Sequence, residues 1–311
     1  MPITKAIIAV AGYGTRFIPA TKVQPKEMLP IVDKPVVQYL VEEAVASGIT
    51  DVVLVTRSGN QAVEDHFDSS RELELHLEAQ KKWRELEEIR RISSMANFIF
   101  IRQGKEMPYG NGTPLLCARS VIHRDEAVVY MFGDDIVKSD VPCARQLIDV
   151  YERYKPAAVV AVQEVPIDEI SRYGVPKLKP GSDRNELETI VEKPSPAEAP
   201  SNLAQLGRFV LSYRIINILQ QLKTGQGGEL WLTDAIDELA KTESVIVHRI
   251  AGKWYTTGDP LRFLKTTVEF ALDRPDIGPE FAAYLKELDL SRWSGDTLTP
   301  TNTLRALHRG C

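Results

Sequence analysis

Lys5-Ala6-Ile7-Ile8-Ala9-Val10 is an apolar run behind a single lysine, and it gives way at once to Ala11-Gly12-Tyr13-Gly14-Thr15-Arg16. Continuous rather than alternating apolarity suits a strand covered on both faces, which is the habit of parallel sheets. Four further stretches read the same way: Asp51–Thr56 (DVVLVT), Asn97–Arg102 (NFIFIR), Ala127–Phe132 (AVVYMF) and Ala157–Gln163 (AAVVAVQ). Between Lys5–Val10 and Asp51–Thr56 lies a helical pattern from Val36 to Ser47, with Gly48 placed to end it. Strand–helix–strand alternation at this spacing predicts a doubly wound α/β fold with a mostly parallel sheet. Ligands of such sheets sit at the carboxyl ends of the strands, so the residues just after each run carry the functional question.

Outward from that core, Ser69–Ser93 is dense in helix formers with mixed charges, which predicts a solvated helical hairpin or arm, with subunit contact as the sharper alternative. From Tyr173 onward short strands (Leu187–Val191, Arg208–Leu211, Ser244–Ile250) alternate with helices near Tyr213–Lys223 and Leu230–Lys241, as in a second half packed on the same sheet. Pro194–Pro200 has the composition of an exposed linker, and Ser291–Cys311 that of a loosely held tail. No internal repeat is visible. With 311 residues, 43% hydrophobic and 26% charged, the chain can bury a full core. A net charge of −5 argues against nucleic-acid and membrane-surface partners, which require a basic footprint. No run is long enough to span a bilayer and residues 1–5 lack the features of a signal peptide, so a cytoplasmic enzyme is expected. Cys117, Cys143 and Cys311 lack the number and spacing of a disulfide framework or a zinc knuckle.

The loop after the first strand has the chemistry of a phosphate cradle. Two glycines let backbone N–H groups approach an anion, and the Arg16 fork can hold phosphate oxygens bidentately. The spacing is neither GxxxxGK[ST] nor GxGxxG. Further on, Lys26 lies in Pro25-Lys26-Glu27-Met28-Leu29-Pro30, stiffened by a proline at each end. Residues 1–35 hold Lys5, Arg16, Lys22, Lys26 and Lys34 against Glu27 and Asp33, so this segment is +3 and the rest of the chain −8.

The stretch from Ala11 to Ile49 resembles the sugar-phosphate nucleotidyltransferases, most narrowly their bacterial branch that joins UTP to glucose 1-phosphate. The resemblance continues in order through Arg102-Gln103-Gly104, Gly133-Asp134-Asp135, Tyr173-Gly174-Val175, Val191-Glu192-Lys193-Pro194, Gly207-Arg208-Phe209-Val210 and Gly228–Asp234, covering roughly residues 3–290. It implies a Rossmann-like mixed, mostly parallel sheet flanked by helices, of the nucleotide-diphospho-sugar transferase type. It further implies one domain over 1–290, with a nucleotide-binding part at about 1–135, a sugar-phosphate part at about 136–290, and a tail at 291–311. The implied reaction gives UDP-glucose and pyrophosphate with Mg²⁺ as cofactor, in a homo-oligomer (dimer or tetramer). By the same resemblance Ala11, Gly12, Gly14 and Thr15 would cradle the nucleotide, Arg16 the β- and γ-phosphates, and Lys26 the α-phosphate. Gln103 would read uracil, while Gly110 and Gly112 would let the backbone approach the base. Asp134 would hold Mg²⁺, Gly174 and Glu192 would face the sugar, and Lys193 would neutralise its phosphate. Alternatives from the same residues are a thymidylyl- or uridylyltransferase for another sugar phosphate, or a non-catalytic regulatory paralogue.

Two positions depart from the family pattern. Gly110-Asn111-Gly112-Thr113-Pro114 keeps the glycine spacing of the base-reading loop but has a hydroxyl at Thr113 where a histidine is common. Thr256, in Lys253-Trp254-Tyr255-Thr256-Thr257-Gly258-Asp259, stands where a second metal-facing aspartate is usual. A hydroxyl is the weaker Mg²⁺ ligand, so either Asp134, phosphates and water suffice, or Asp135 or Asp259 compensates, or turnover is impaired.

Overall fold

A computed structural model describes residues 2–293 of the chain. Contacts divide it into Met1–Thr266 and a C-terminal unit from Thr267. The first unit is built on seven strands: β1 (Lys5–Ala9), β2 (Asp51–Thr56), β3 (Asn97–Arg102), β4 (Ala127–Phe132), β5 (Ala158–Glu164), β6 (Leu203–Ser212) and β7 (Val245–Arg249). Their order across the sheet is β7-β5-β6-β4-β1-β2-β3. Every pairing is parallel except those of β6, which runs against both β4 and β5. The sheet is therefore mixed and mostly parallel, as the sequence predicts.

Both faces are covered. Ile7, Val53, Val55, Tyr130, Val160 and Phe209 pack toward helices at Thr113–Cys117, Arg214–Gln221 and Leu232–Ala240. On the opposite face the buried residues include Ile8, Leu54 and Met131, together with Leu40 of helix Val36–Ala46 and Leu147 of helix Cys143–Tyr154. Two-sided burial is the reason the central strands read as unbroken apolar runs, whereas Asn97–Arg102, at the sheet edge, is only half-buried.

The helix after β1 ends as its sequence predicts. Gly48 has φ +92°, its N–H donates to Val45 O at 3.0 Å, and Ile49 N–H reaches Ala44 O at 3.2 Å. This pair of bonds is a Schellman ending, with Ile49 buried beneath it. The charged stretch forms a hairpin of helices Arg71–Ala79 and Trp83–Ser94, whose Leu73, Leu75 and Trp83 are exposed.

Four features differ from the sequence reading. Leu187–Glu192 pairs with Gly174–Leu178 in a separate ribbon rather than joining the sheet. The strand expected at Arg208–Leu211 is ten residues long, from Leu203 to Ser212. A second ribbon, Asp135–Lys138 with Lys253–Thr256, had no apolar signature and brings Thr256 opposite Asp135. Within 194–200, Pro194 is buried, whereas residues 195–198 are exposed.

The C-terminal unit contains the end of helix Pro260–Leu272, helix Gly278–Glu287 and a short turn at Leu290–Trp293. Of the expected tail, residues 294–311 lie outside the described residues. No helix among the described residues is long and apolar enough to cross a membrane.

Candidate active site

The carboxyl ends of β1, β3 and β4 deliver Val10–Thr15, Gln103 and Gly133-Asp134 to one edge of the sheet. Two cavities open there and share Asn111, Phe132, Asp134 and Trp231. The smaller, about 230 Å³, is lined by Ala11, Gly12, Lys26, Glu27, Gln103 and Gly110 among others. The larger, about 740 Å³, takes in Arg16, Gly174, Glu192, Lys193, Gln205 and Thr256. Thus most of the residues singled out in the sequence divide between two adjoining spaces with Asp134 at their junction. Gly14, Thr15 and Gly112 are not among the lining residues. Gly14 backs onto Thr21 and Lys26, Gly112 packs on Leu219 and Leu230, and Thr15 is exposed.

Charge concentrates at the junction. Lys26 Nζ lies 2.7 Å from Asp134 Oδ2 and 3.8 Å from Glu27 Oε1. Burial pulls the lysine pKa down, but Asp134 and Glu27 outweigh it and hold the ammonium charged well above its ordinary range. Burial likewise pushes Asp134 up, and Lys26 with Arg16 more than reverses that, leaving an ionised carboxylate. Glu27, 1% exposed and with neither oxygen hydrogen-bonded, is pushed up to about 7 by burial. Asp135 is raised to about 6, by burial first and by Asp134 next.

Arg16 donates from Nη1 to Gly258 O at 3.2 Å. A Cβ placed on Gly258 would lie 2.8 Å from Asp134 Oδ2, 3.6 Å from Thr256 Oγ1 and 3.7 Å from Arg16 Nη1, so these three groups surround one small space. Both carboxylates that could substitute for an aspartate at 256 line the larger cavity, and each already has a partner. Asp135 Oδ2 accepts from Gly207 N at 2.7 Å, and Asp259 is engaged by Arg262 N and Nη1. Among the described residues no group of three or more His, Cys, Asp or Glu side chains could hold a metal ion.

In the smaller cavity, Gly110 has φ +133°, and a Cβ there would fall 2.3 Å from Leu230 O. The backbone crosses Leu230 closely because Leu230 N–H donates to Tyr109 O and Gly112 N–H to Leu230 O. Thr113 is fully buried and donates to Pro108 O at 2.6 Å, so its hydroxyl holds the loop and does not face the cavity. Tyr13 stacks near Tyr109, with the Arg57 guanidinium 4.8 Å over its ring.

In the larger cavity, Glu192 Oε2 accepts from Thr233 Oγ1 at 2.7 Å, and Gln205 Nε2 donates to the same hydroxyl at 3.4 Å. Gly174 fits between Thr233 and Gln205, where a Cβ would sit 3.2 and 3.3 Å from them. Burial raises the Glu192 pKa against the pull of Thr233 and Lys193. Lys193 holds φ +48°, an uncommon conformation for a side chain-bearing residue, and its ammonium lies 4.0 Å over the Trp231 ring. Thr233, Gln205 and Trp231 received no role in the sequence reading. Trp231 and Thr233 lie in a motif that resembles the family, whereas Gln205 carries no sequence signal.

A mostly parallel sheet with two cation-bearing cavities at its strand ends defines an α/β protein suited to binding two anionic ligands side by side. The sequence model described as "Nucleotidyl transferase" matches residues 5–271, and the chain belongs to that family. It is 45% identical over 290 residues to a UTP–glucose-1-phosphate uridylyltransferase of Staphylococcus epidermidis, covering 93% of this chain and 99% of the relative. It is 45% identical over 288 residues to the UTP–glucose-1-phosphate uridylyltransferase YngB of Bacillus subtilis, covering 92% and 95%. A UTP-bound UGPase from Acinetobacter baumannii superposes with TM-score 0.83 at 36% identity, covering 92% of this chain and 100% of that one. A UDP-glucose pyrophosphorylase complexed with UDP-glucose superposes with TM-score 0.78 at 34% identity, covering 88% and 100%.

Proposed function

We propose that this nucleotidyltransferase transfers UMP from UTP to glucose 1-phosphate, giving UDP-glucose and pyrophosphate. The observation that carries the reading is the pair of adjoining cavities meeting at Asp134, beside Lys26 and Arg16. A phosphate oxygen of the sugar would attack the α-phosphorus of UTP, forming one P–O bond as the bond to the β-phosphate breaks and pyrophosphate leaves. Such a displacement requires no protein nucleophile; it requires two anions held in line with their charge neutralised.

The smaller cavity suits the nucleotide. Ala11 and Gly12 line it and Gly14 and Thr15 would continue their turn. Gln103 would offer donor and acceptor to uracil, and Gly110 would keep the wall close, with Gly112 packed behind it on Leu219 and Leu230. Lys26 would stabilise charge on the α-phosphate, and Arg16 charge on the departing phosphates. In the larger cavity Gly174 and Glu192 would meet the sugar and Lys193 its phosphate. Asp134 and the Thr256 hydroxyl would hold Mg²⁺, since this ion needs only one or two carboxylates when phosphates and water complete its shell. Bound, the ion would supply charge neutralisation of phosphate oxygens.

The working unit on this reading is residues 1–290, divided near 135 between nucleotide and sugar-phosphate parts. A cytoplasmic setting accompanies the use of a nucleoside triphosphate. A dimer or tetramer is supported by the exposed Leu73, Leu75 and Trp83 of the helical arm, and sedimentation as a monomer would remove that part. The decisive assay is pyrophosphate release from UTP, glucose 1-phosphate and Mg²⁺, run beside dTTP and other sugar 1-phosphates. Release with the first pair and little with the rest is expected; binding of UDP-glucose without any release would favour a regulatory paralogue, the reading that Thr256 supports.

A further inference from the structure

Arg208 is fully buried in β6, yet it is the largest side chain in the interior. Its Nε and Nη2 meet the Glu43 carboxylate at 2.9 and 2.8 Å, Nη1 donates to Gly207 O at 2.9 Å, and Nη2 donates to Asp135 O at 2.6 Å. Glu43, from helix Val36–Ala46, also accepts from Ala144 N at 3.0 Å, at the start of helix Cys143–Tyr154. Replacing such a buried pair by apolar residues is often neutral or stabilising, so net stability is a weak reason for having it. What the pair does geometrically is specific. Arg208 holds the Asp135 carbonyl, Gly207 N–H holds the Asp135 carboxylate, and Thr257 donates from N and Oγ1 to the Asp134 carbonyl at 2.7 and 2.9 Å. The backbone on which Asp134 stands is thereby fixed from two sides.

We propose that Arg208, anchored by Glu43, is a positioning residue that aims the Asp134 carboxylate at the junction of the two cavities. The inference rests on the proposed transfer reaction for its kinetic consequence, but not for its geometric one. Arg208 touches neither cavity, so its effect passes through the Asp134-Asp135 backbone. Lysine could keep the charge opposite Glu43 but has no planar fork to reach two carbonyls as well.

The test compares Arg208→Met, the pair Glu43→Met/Arg208→Met, and Arg208→Lys. The single methionine variant strands a buried carboxylate and should unfold at lower temperature; the double variant should regain the wild-type melting temperature. In the double variant the Asp134 Oδ2–Lys26 Nζ contact should open in a crystal structure, and Mn²⁺ binding in the presence of UTP should weaken about 10- to 100-fold. Its kcat should fall by a similar factor while KM for glucose 1-phosphate stays within about twofold. Arg208→Lys should move the same readouts in the same direction, and it decides the question if the methionine variants do not fold. A stable double variant or Arg208→Lys protein with the Asp134–Lys26 contact intact and kcat unchanged would overturn the proposal. A wild-type protein that releases no pyrophosphate would instead remove the proposed reaction, with the crystallographic comparison still judging the role of Arg208.

Discussion

At Glu27 the chain holds a carboxyl away from water with no hydrogen-bond donor on either oxygen. Its pKa, raised from 4.5 to about 7 mainly by burial, fixes the sign of a stability effect. The folded state binds this proton more tightly than the unfolded chain, so its contribution is complete below about 4.5 and is lost as pH rises through about 7. Glu27→Gln keeps the shape and removes the charge. Urea unfolding should show wild type and variant alike near pH 4.5, with the variant more stable at pH 8 by about 1–3 kcal/mol. Equal stability at both values would mean that Lys26 fully compensates the buried charge. Thr256 allows a second prediction. Thr256→Asp places a carboxylate beside Asp134, so without Mg²⁺ the variant should melt below wild type by like-charge repulsion. Added Mg²⁺ should restore it, and the Mg²⁺ needed for half-maximal pyrophosphate release should drop roughly tenfold. An unchanged requirement would place the metal elsewhere.

Two glycines show how position in an element decides cost. Gly48 closes the helix Val36–Ala46 at φ +92° with open space where a Cβ would go, so Gly48→Ala meets only the left-handed penalty, about 1 kcal/mol in urea unfolding. Gly110→Ala combines φ +133° with a Cβ 2.3 Å from Leu230 O, so the loop must move and KM for UTP should rise well beyond any stability loss. A variant with unchanged KM for UTP would detach this loop from the nucleotide. Elements of the first kind were legible in the sequence, because strands buried on both faces write themselves as apolar runs and a Schellman ending needs a glycine. The ribbon Asp135–Lys138 with Lys253–Thr256 was not, since short strands with mixed side chains have no periodicity to read. Arg208 stands in a strand and a motif that the sequence did mark, but its burial and its pairing with Glu43, far away in the chain, appear only in the fold. Thr113 shows the converse, a hydroxyl in the right motif whose donor is used within its own loop.

The net charge of −5 acquires meaning only at the scale of the whole molecule. Of the basic side chains in residues 1–35, Lys26 and Arg16 gather at Asp134, while Lys5 pairs with Glu126 and Lys34 with Glu42. Lys193 of the second half lines the larger cavity with Arg16 and Asp134, so an acidic protein presents three cations where two small phosphates would meet. The two cavities draw on different parts of the chain. Gln103 belongs to the smaller, Lys193 to the larger, and Asp134 to both. If each cavity receives one substrate, kinetic damage should separate accordingly. Gln103→Ala should raise KM for UTP by about 10-fold, the cost of one hydrogen bond, and leave KM for glucose 1-phosphate nearly unchanged. Lys193→Gln should do the reverse, and by more, because a charge-assisted contact to phosphate is roughly twice as strong as a neutral one. Asp134→Asn should lower kcat by about 100-fold or more with both KM values little moved, since it acts where charge develops rather than where either substrate is anchored. Initial-rate measurements with each substrate varied at saturating levels of the other read all three. Should Lys193→Gln raise both KM values equally, the cavities act as one site, and the assignment of one substrate to each fails.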